Sequence, residues 1–175
     1  MNDYLAWFDG SCGPTNPGGT AGSGAIVKDI DGSVLLKETR LVGEGAAMSN
    51  NVAEYAALIR VFEFLSSCSP GHAIVHGDSR LVINQLNDKW AVHKGLYYST
   101  YFEARELLNR LHSLGWQIDL QWIPRVQNEE CDSLSRGVPT KTGVLQDFHP
   151  LGIPSEPCLG PISNVRAPLL SVGAY

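Results

Sequence analysis

Apolar residues occupy both alternating positions from Tyr4 to Phe8, the pattern of a strand covered on both sides and therefore central in its sheet. Gly24–Ile30 and Ser33–Val42 read as two further strands, with Asp31-Gly32 between them as a hairpin turn. The period then changes. Val52, Tyr55, Ile59, Phe62 and Leu65 fall on one stripe at helical spacing, which predicts a helix over Asn51–Ser66, stopped at Ser69-Pro70-Gly71. His72–Gly77 is a short strand and Asp78–Leu86 a short helix. Tyr97–Leu114 is a longer helix carrying Tyr98, Tyr101, Leu108 and Leu111, and Gly115 ends it. Gln117–Ile123 is the fifth strand and Asn128–Arg136 the last helix. The order βββαβααβα joins an antiparallel meander to parallel crossovers, so the fold class is α/β, a mixed five-stranded sheet with helices on both faces.

From Val138 the texture changes. Six of the ten prolines lie in 138–175, with few charges and no sustained period, yet the segment holds Leu145, Phe148, Leu151, Ile153, Leu159, Ile162 and Leu169. A polar linker is not this apolar. Residues 1–137 are therefore expected to form one domain, and 138–175 a Pro-rich apolar tail partly docked on it.

The formal net charge of -5, from 13 basic and 18 acidic residues, is the wrong sign for holding nucleic acid by bulk positive charge. Carboxylates gathered around cations change that count: two divalent ions add +4 and leave about -1. The four cysteines are scattered, with no Cys-x-x-Cys pair, which excludes a zinc ribbon and suits reduced thiols. No stretch approaches the roughly 18 apolar residues of a membrane span, and the N-terminus lacks a basic region followed by an apolar run. A cytoplasmic protein without membrane contact is expected.

The chemistry sits at breaks in the pattern. Asp9 closes the first apolar run and is followed by Gly10-Ser11, read as a turn that leaves the carboxylate in a cleft. Glu54, Asp78 and Asp132 occupy comparable positions at element ends or first turns. Each has a structural alternative. Asp9 could start a turn, and Glu54, three residues after Asn51, could belong to a capping box. Asp78 could cap a helix, and Asp132 could pair with Arg136 one turn on. All four converging on one sheet edge is the economical reading, and a carboxylate there needs a cation or donor to offset its desolvation.

Four ordered blocks carry a resemblance. Asp9-Gly-Ser with Asn16-Pro-Gly-Gly, Ser49-Asn-Asn-Val-Ala-Glu-Tyr-Ala-Ala-Leu58, Gly77-Asp-Ser-Arg-Leu-Val82, and Trp122-Ile-Pro-Arg-Val-Gln-Asn128 with Cys131-Asp-Ser-Leu134 resemble ribonuclease H of type 1 over roughly residues 3 to 137. The resemblance implies central strand order 3-2-1-4-5. It also implies that Asp9, Glu54, Asp78 and Asp132 are catalytic carboxylates holding two divalent ions, Mg²⁺ or Mn²⁺, the hard cations that carboxylates suit. The implied reaction is hydrolysis of the RNA strand of an RNA·DNA hybrid by a monomer, leaving 5′-phosphate and 3′-hydroxyl ends. Gly10, Ser11, Asn16, Ser49, Asn50 and Asn51 match family positions at the hybrid. Amides there can read a 2′-hydroxyl, which donates and accepts. Trp90, with Lys89, His93, Lys94, Tyr97 and Tyr98 nearby, resembles the surface for the DNA strand.

Two departures accompany the likeness. Asn87–Leu96 is too short for the basic handle many members carry, and no histidine lies between Trp122 and Asp132. Arg125 is the basic residue in that loop, as in the archaeal-like branch, and is the candidate loop assistant. The alternatives are a non-catalytic hybrid-binding module and a DNA-directed nuclease on the same fold.

Overall fold

The computed structural model describes residues 2–138, and the rest of the expected tail lies outside them. Its sheet has the order β3-β2-β1-β4-β5, formed by β1 (Asn2–Gly13), β2 (Thr20–Asp29), β3 (Val34–Glu44), β4 (Gly71–Gly77) and β5 (Gln117–Trp122). β1 pairs antiparallel with β2 and parallel with β4, and β4 pairs parallel with β5. Around it lie α1 (Asn50–Ser66), α2 (Arg80–Leu86), α3 (Tyr98–Ser113) and α4 (Glu129–Arg136).

The first strand differs from the sequence reading in two ways. It does not end in a turn after Asp9: Gly10–Gly13 continue the ladder, paired with Thr20–Ser23. Gly10 is there for close approach and makes no turn, because a Cβ on it would lie 2.1 Å from the Glu54 nitrogen of α1. Nor is β1 covered evenly. Tyr4, Ala6 and Phe8 are buried under α1, whereas Leu5 and Trp7, on the face shared with α4, are only half-buried. α4 has 8 residues and covers the β1–β2 end of that face, packing on β1, β2 and, more lightly, β3.

α1 is the core of the molecule. The expected stripe broadens until only Ala56, Arg60, Glu63 and Ser66 mark a solvent line beyond its first turn. The rest is packed between the sheet and α3. Ser49 caps it, with Oγ accepting from the Val52 nitrogen, which leaves Glu54 free of any capping role. α3 buries Tyr101, Ala104, Leu108 and Leu111. Tyr98, placed on that stripe by spacing, instead lies exposed with its ring edge-on to Phe102.

α4 seats on β2 where side chains are missing. A Cβ on Gly22 would meet the Ser135 carbonyl oxygen at 2.2 Å, and one on Gly24 would meet the Cys131 oxygen at 2.6 Å. Polar bonds fix its register. Asn128 Nδ2 donates to the Phe8 carbonyl (2.9 Å), Ser11 Oγ to the Ser135 carbonyl (2.7 Å) and Thr39 Oγ1 to the Leu134 carbonyl (2.9 Å).

Candidate active site

The register of two parallel strands sets the site. Phe8 of β1 is opposite Gly77 of β4, so the next residues, Asp9 and Asp78, emerge side by side. There β4 stops while β1 runs on with β2 alone, and the parting opens a cleft of about 430 Å³. Glu54 enters from α1, brought in by the contact at Gly10. Oxygens of Asp9, Glu54 and Asp78 lie within 4.8 Å of one another. The cleft is also lined by Gly10, Ser11, Asn50 and Arg125.

Asp78 does not cap α2, since Ser79 Oγ accepts from the Val82 nitrogen. Its backbone is gripped from β5: the Trp122 indole donates to the Asp78 carbonyl (3.0 Å), and the Ile123 nitrogen to the Gly77 carbonyl (3.0 Å). The Arg80 guanidinium lies 4.3 Å over the Trp122 ring. A large aromatic side chain on an exposed strand end is thereby explained.

Burial drives the electrostatics. Desolvation, opposed by the Ser135 hydroxyl and reinforced by the charges of Asp78 and Asp132, pushes Asp9 up to about 7. Burial first, then Asp9 and Asp78, hold Glu54 well above the usual carboxylate range. Its Oε2 is buried without a hydrogen-bond partner. A buried carboxylate oxygen with no donor, facing two other acids, is costly unless a cation meets it. An all-oxygen donor set fits Mg²⁺ or Mn²⁺.

Asp132 stands apart. It is outside the three-acid group, and its Oδ1 is paired with Arg125 and with Arg136 Nη2 at 3.1 Å. Its charge still reaches Asp9, which it helps to raise. The i,i+4 pair with Arg136 foreseen from spacing is present. Arg125 is itself held protonated by Asp132, Asp78 and Asp9, against its desolvation.

A family model described as reverse transcriptase-like matches residues 8–138. A ribonuclease H1 structure from the halophilic archaeon Halobacterium salinarum is 30% identical, with a TM-score of 0.65 over 77% of this chain and 95% of that one. The chain belongs to the ribonuclease H type 1 family. LC11-RNase H1, solved in complex with an RNA/DNA hybrid, is 26% identical with a TM-score of 0.65, over 76% of this chain and 94% of that one. A bifunctional protein of Mycobacterium tuberculosis is 33% identical over 121 residues, 69% of this chain. This chain spans only 31% of that protein's length.

Within this type 1 ribonuclease H fold, Gly10, Ser11, Asn50 and Arg125 line the cleft, whereas Asn16, Ser49, Asn51 and Trp90 lie outside its lining. Asn16 Oδ1 accepts from the Asn50 nitrogen (3.0 Å), tying the β1–β2 loop to the start of α1. Asn50 is exposed and Asn51 half-buried beside it. Trp90 is half exposed on the segment after α2, with Lys89, His93 and Lys94 exposed around it, and none of them lines the cleft. Tyr97 instead stacks on Tyr55 of the core. Sequence reasoning passed over Trp122, Asn128 and Ser135. The only signal for them was polarity or bulk inside motifs whose acids drew the attention. Among the described residues no helix is long and apolar enough to cross a membrane.

Proposed function

We propose that the protein is an endoribonuclease that hydrolyses the RNA strand of RNA·DNA hybrids with two divalent ions, Mg²⁺ or Mn²⁺, leaving 5′-phosphate and 3′-hydroxyl ends. The observation that carries this is the unpartnered, buried Glu54 oxygen facing Asp9 and Asp78 at the floor of an open cleft. Family membership and the hybrid bound by LC11-RNase H1 support the substrate class.

Asp9, Glu54 and Asp78 would hold one cation directly, and Asp9 with Asp132 the other once Asp132 leaves its arginines. When bound, such ions supply charge stabilisation at the attacking and departing oxygens of a phosphodiester. The chain's own residues bind and orient the substrate. Asn50, which lines the cleft, with Asn16 bonded to its backbone and Asn51 next to it, would offer amides suited to the 2′-hydroxyls of an RNA strand. Gly10 and Ser11 form the wall beside Asp9. Arg125, over half exposed, presents a cation at the rim that can exchange Asp132 for a phosphate. Trp90 with Lys89 and Lys94 offers a stacking and phosphate-tracking surface for the DNA strand. The protein is taken to act as a monomer.

A cleavage assay on matched hybrid, double-stranded RNA and double-stranded DNA, with Mg²⁺ or with chelator, tests this. Cutting of the hybrid alone, and only with the ion, is expected. Cutting of DNA would favour the DNA-directed nuclease, and hybrid retention without cutting the binding module. Arg125→Ala gives a finer check on the loop. If Arg125 draws the new phosphate out, multiple turnover should fall about tenfold while single-turnover cleavage changes less than about twofold. Equal rates for variant and wild type in both regimes reduce Arg125 to a loop charge.

A further inference from the structure

Ser135 is 1% exposed, and its Oγ lies 2.5 Å from Asp9 Oδ2. Serine within a helix normally satisfies its hydroxyl on a carbonyl of the preceding turn. That acceptor is present here: the Asp132 carbonyl is 3.0 Å away. The hydroxyl therefore has a local partner and still sits closer to the carboxylate, as a charge-assisted bond does. Burial alone does not account for that choice.

The surroundings are shaped for it. Gly22 and Gly24 let the Ser135 backbone press onto β2: a Cβ at Gly22 would lie 2.2 Å from the Ser135 oxygen, and one at Gly24 2.9 Å from its nitrogen. Ser11 Oγ holds the Ser135 carbonyl at 2.7 Å, independently of the Ser135 side chain. Backbone and hydroxyl are thus fixed by different partners. The helix turn that delivers the hydroxyl to Asp9 also carries Asp132, three residues earlier.

We propose that Ser135 is a positioning residue: its hydroxyl fixes the Asp9 carboxylate against α4, so that the acid shared by the two cation positions is oriented from the same helix turn that supplies Asp132. Asp9 sits on β1 between Glu54 and Asp78 on one side and α4 on the other. Without a donor on the α4 side its carboxylate is free to rotate, and the distances across the three-acid group are no longer set before a cation arrives. This rests on the cation-dependent reading above, but its test does not need hybrid cleavage.

The test is calorimetric titration of the full chain with Mn²⁺ and with Mg²⁺, comparing wild type, Ser135→Ala and Thr39→Val. Ser135→Ala should fold, because Ser11 and the two glycines keep the turn in place. Thr39→Val is the control: it removes the bond from β3 to the Leu134 carbonyl of the same turn without touching an acid. Ser135→Ala should raise the Mn²⁺ dissociation constant about tenfold, the usual scale for losing a group that orients a ligating side chain. It should lower kcat on hybrid by a similar factor with KM unchanged, while Thr39→Val leaves ion affinity alone. Wild-type ion affinity in Ser135→Ala overturns the inference. Equal weakening in Thr39→Val also overturns it, by assigning the effect to helix docking in general. Weakened ion binding in Ser135→Ala, alongside a wild type that cuts no hybrid, upholds the inference and sinks only the proposed activity.

Discussion

Asp78→Asn is expected to fold normally, bind hybrid with near wild-type affinity and cleave it at least about a thousandfold more slowly, the scale for losing a group that acts at the transition state. The substitution is nearly isosteric, and the backbone it occupies is held by others. Ser79 supplies the cap of α2, and the Trp122 indole donates to the Asp78 carbonyl whatever the side chain. Removing this charge also relieves its neighbours, because Asp78 is among the groups that raise both Asp9 and Glu54. The melting temperature should therefore hold or rise while cleavage collapses. That opposite movement separates a cation ligand from a structural acid, whose loss would lower stability or change nothing. Melting temperature, hybrid affinity and single-turnover cleavage on this one variant decide it. Hybrid cutting at close to the normal rate would remove Asp78 from the proposed machinery.

The order of elements and the acids were legible because both are written locally. Period changes at Asn51 and Gly115 mark real boundaries to within a residue or two, and Asp9, Glu54 and Asp78 each interrupt or end an apolar run. What escaped is non-local. Gly10 reads as a turn residue in a one-dimensional pattern; only the crossing of α1 over β1 shows that its missing side chain makes room for Glu54. Tyr98 fits a helical stripe by spacing, but the helix begins there and its first turn overhangs the core. Leu5 and Trp7 promised a sheet covered evenly on both faces, and the shortness of α4 leaves them half-buried. Ser135 is one small polar residue in a polar helix, and its meaning depends on a strand 126 positions away in the sequence. Asp132 was placed with the other acids by motif. It pairs with Arg136, as spacing foresees, and also with Arg125, a contact made across the turn before α4 that spacing does not show.

In the presence of a chelator, the protein should lose stability as the pH rises from about 5 to 8, and Mg²⁺ or Mn²⁺ should cancel most of that loss. The sign follows from linkage. Asp9 has an ordinary value of 3.8 and is pushed up to about 7 in the fold, so between those limits the folded protein binds a proton that the unfolded chain does not. Stability then falls as pH increases, and the penalty is complete above about 7. Glu54, raised by burial and by Asp9 and Asp78, acts in the same direction. Across the part of this window below about 7, Asp9 alone is worth about 3 kcal/mol at about 1.4 kcal/mol per unit, or roughly 8 °C in melting temperature for a domain of this size. His76, pushed below 6.5 by burial, works the other way as it becomes neutral, but it is half-buried and hydrogen-bonded to the Ala6 carbonyl, so its effect is smaller. Glu38 and Glu130 are lowered by their basic partners and are already ionised across this window. A divalent cation replaces the proton as the partner of these oxygens, so the loaded protein should show a nearly flat profile and a higher melting temperature at pH 8. Scanning calorimetry at three pH values with and without the ion measures both curves. A melting temperature that stays level or climbs between pH 5 and 8 in chelator would mean that these acids already have compensating partners, and the case for a cation at Glu54 would lose its physical basis.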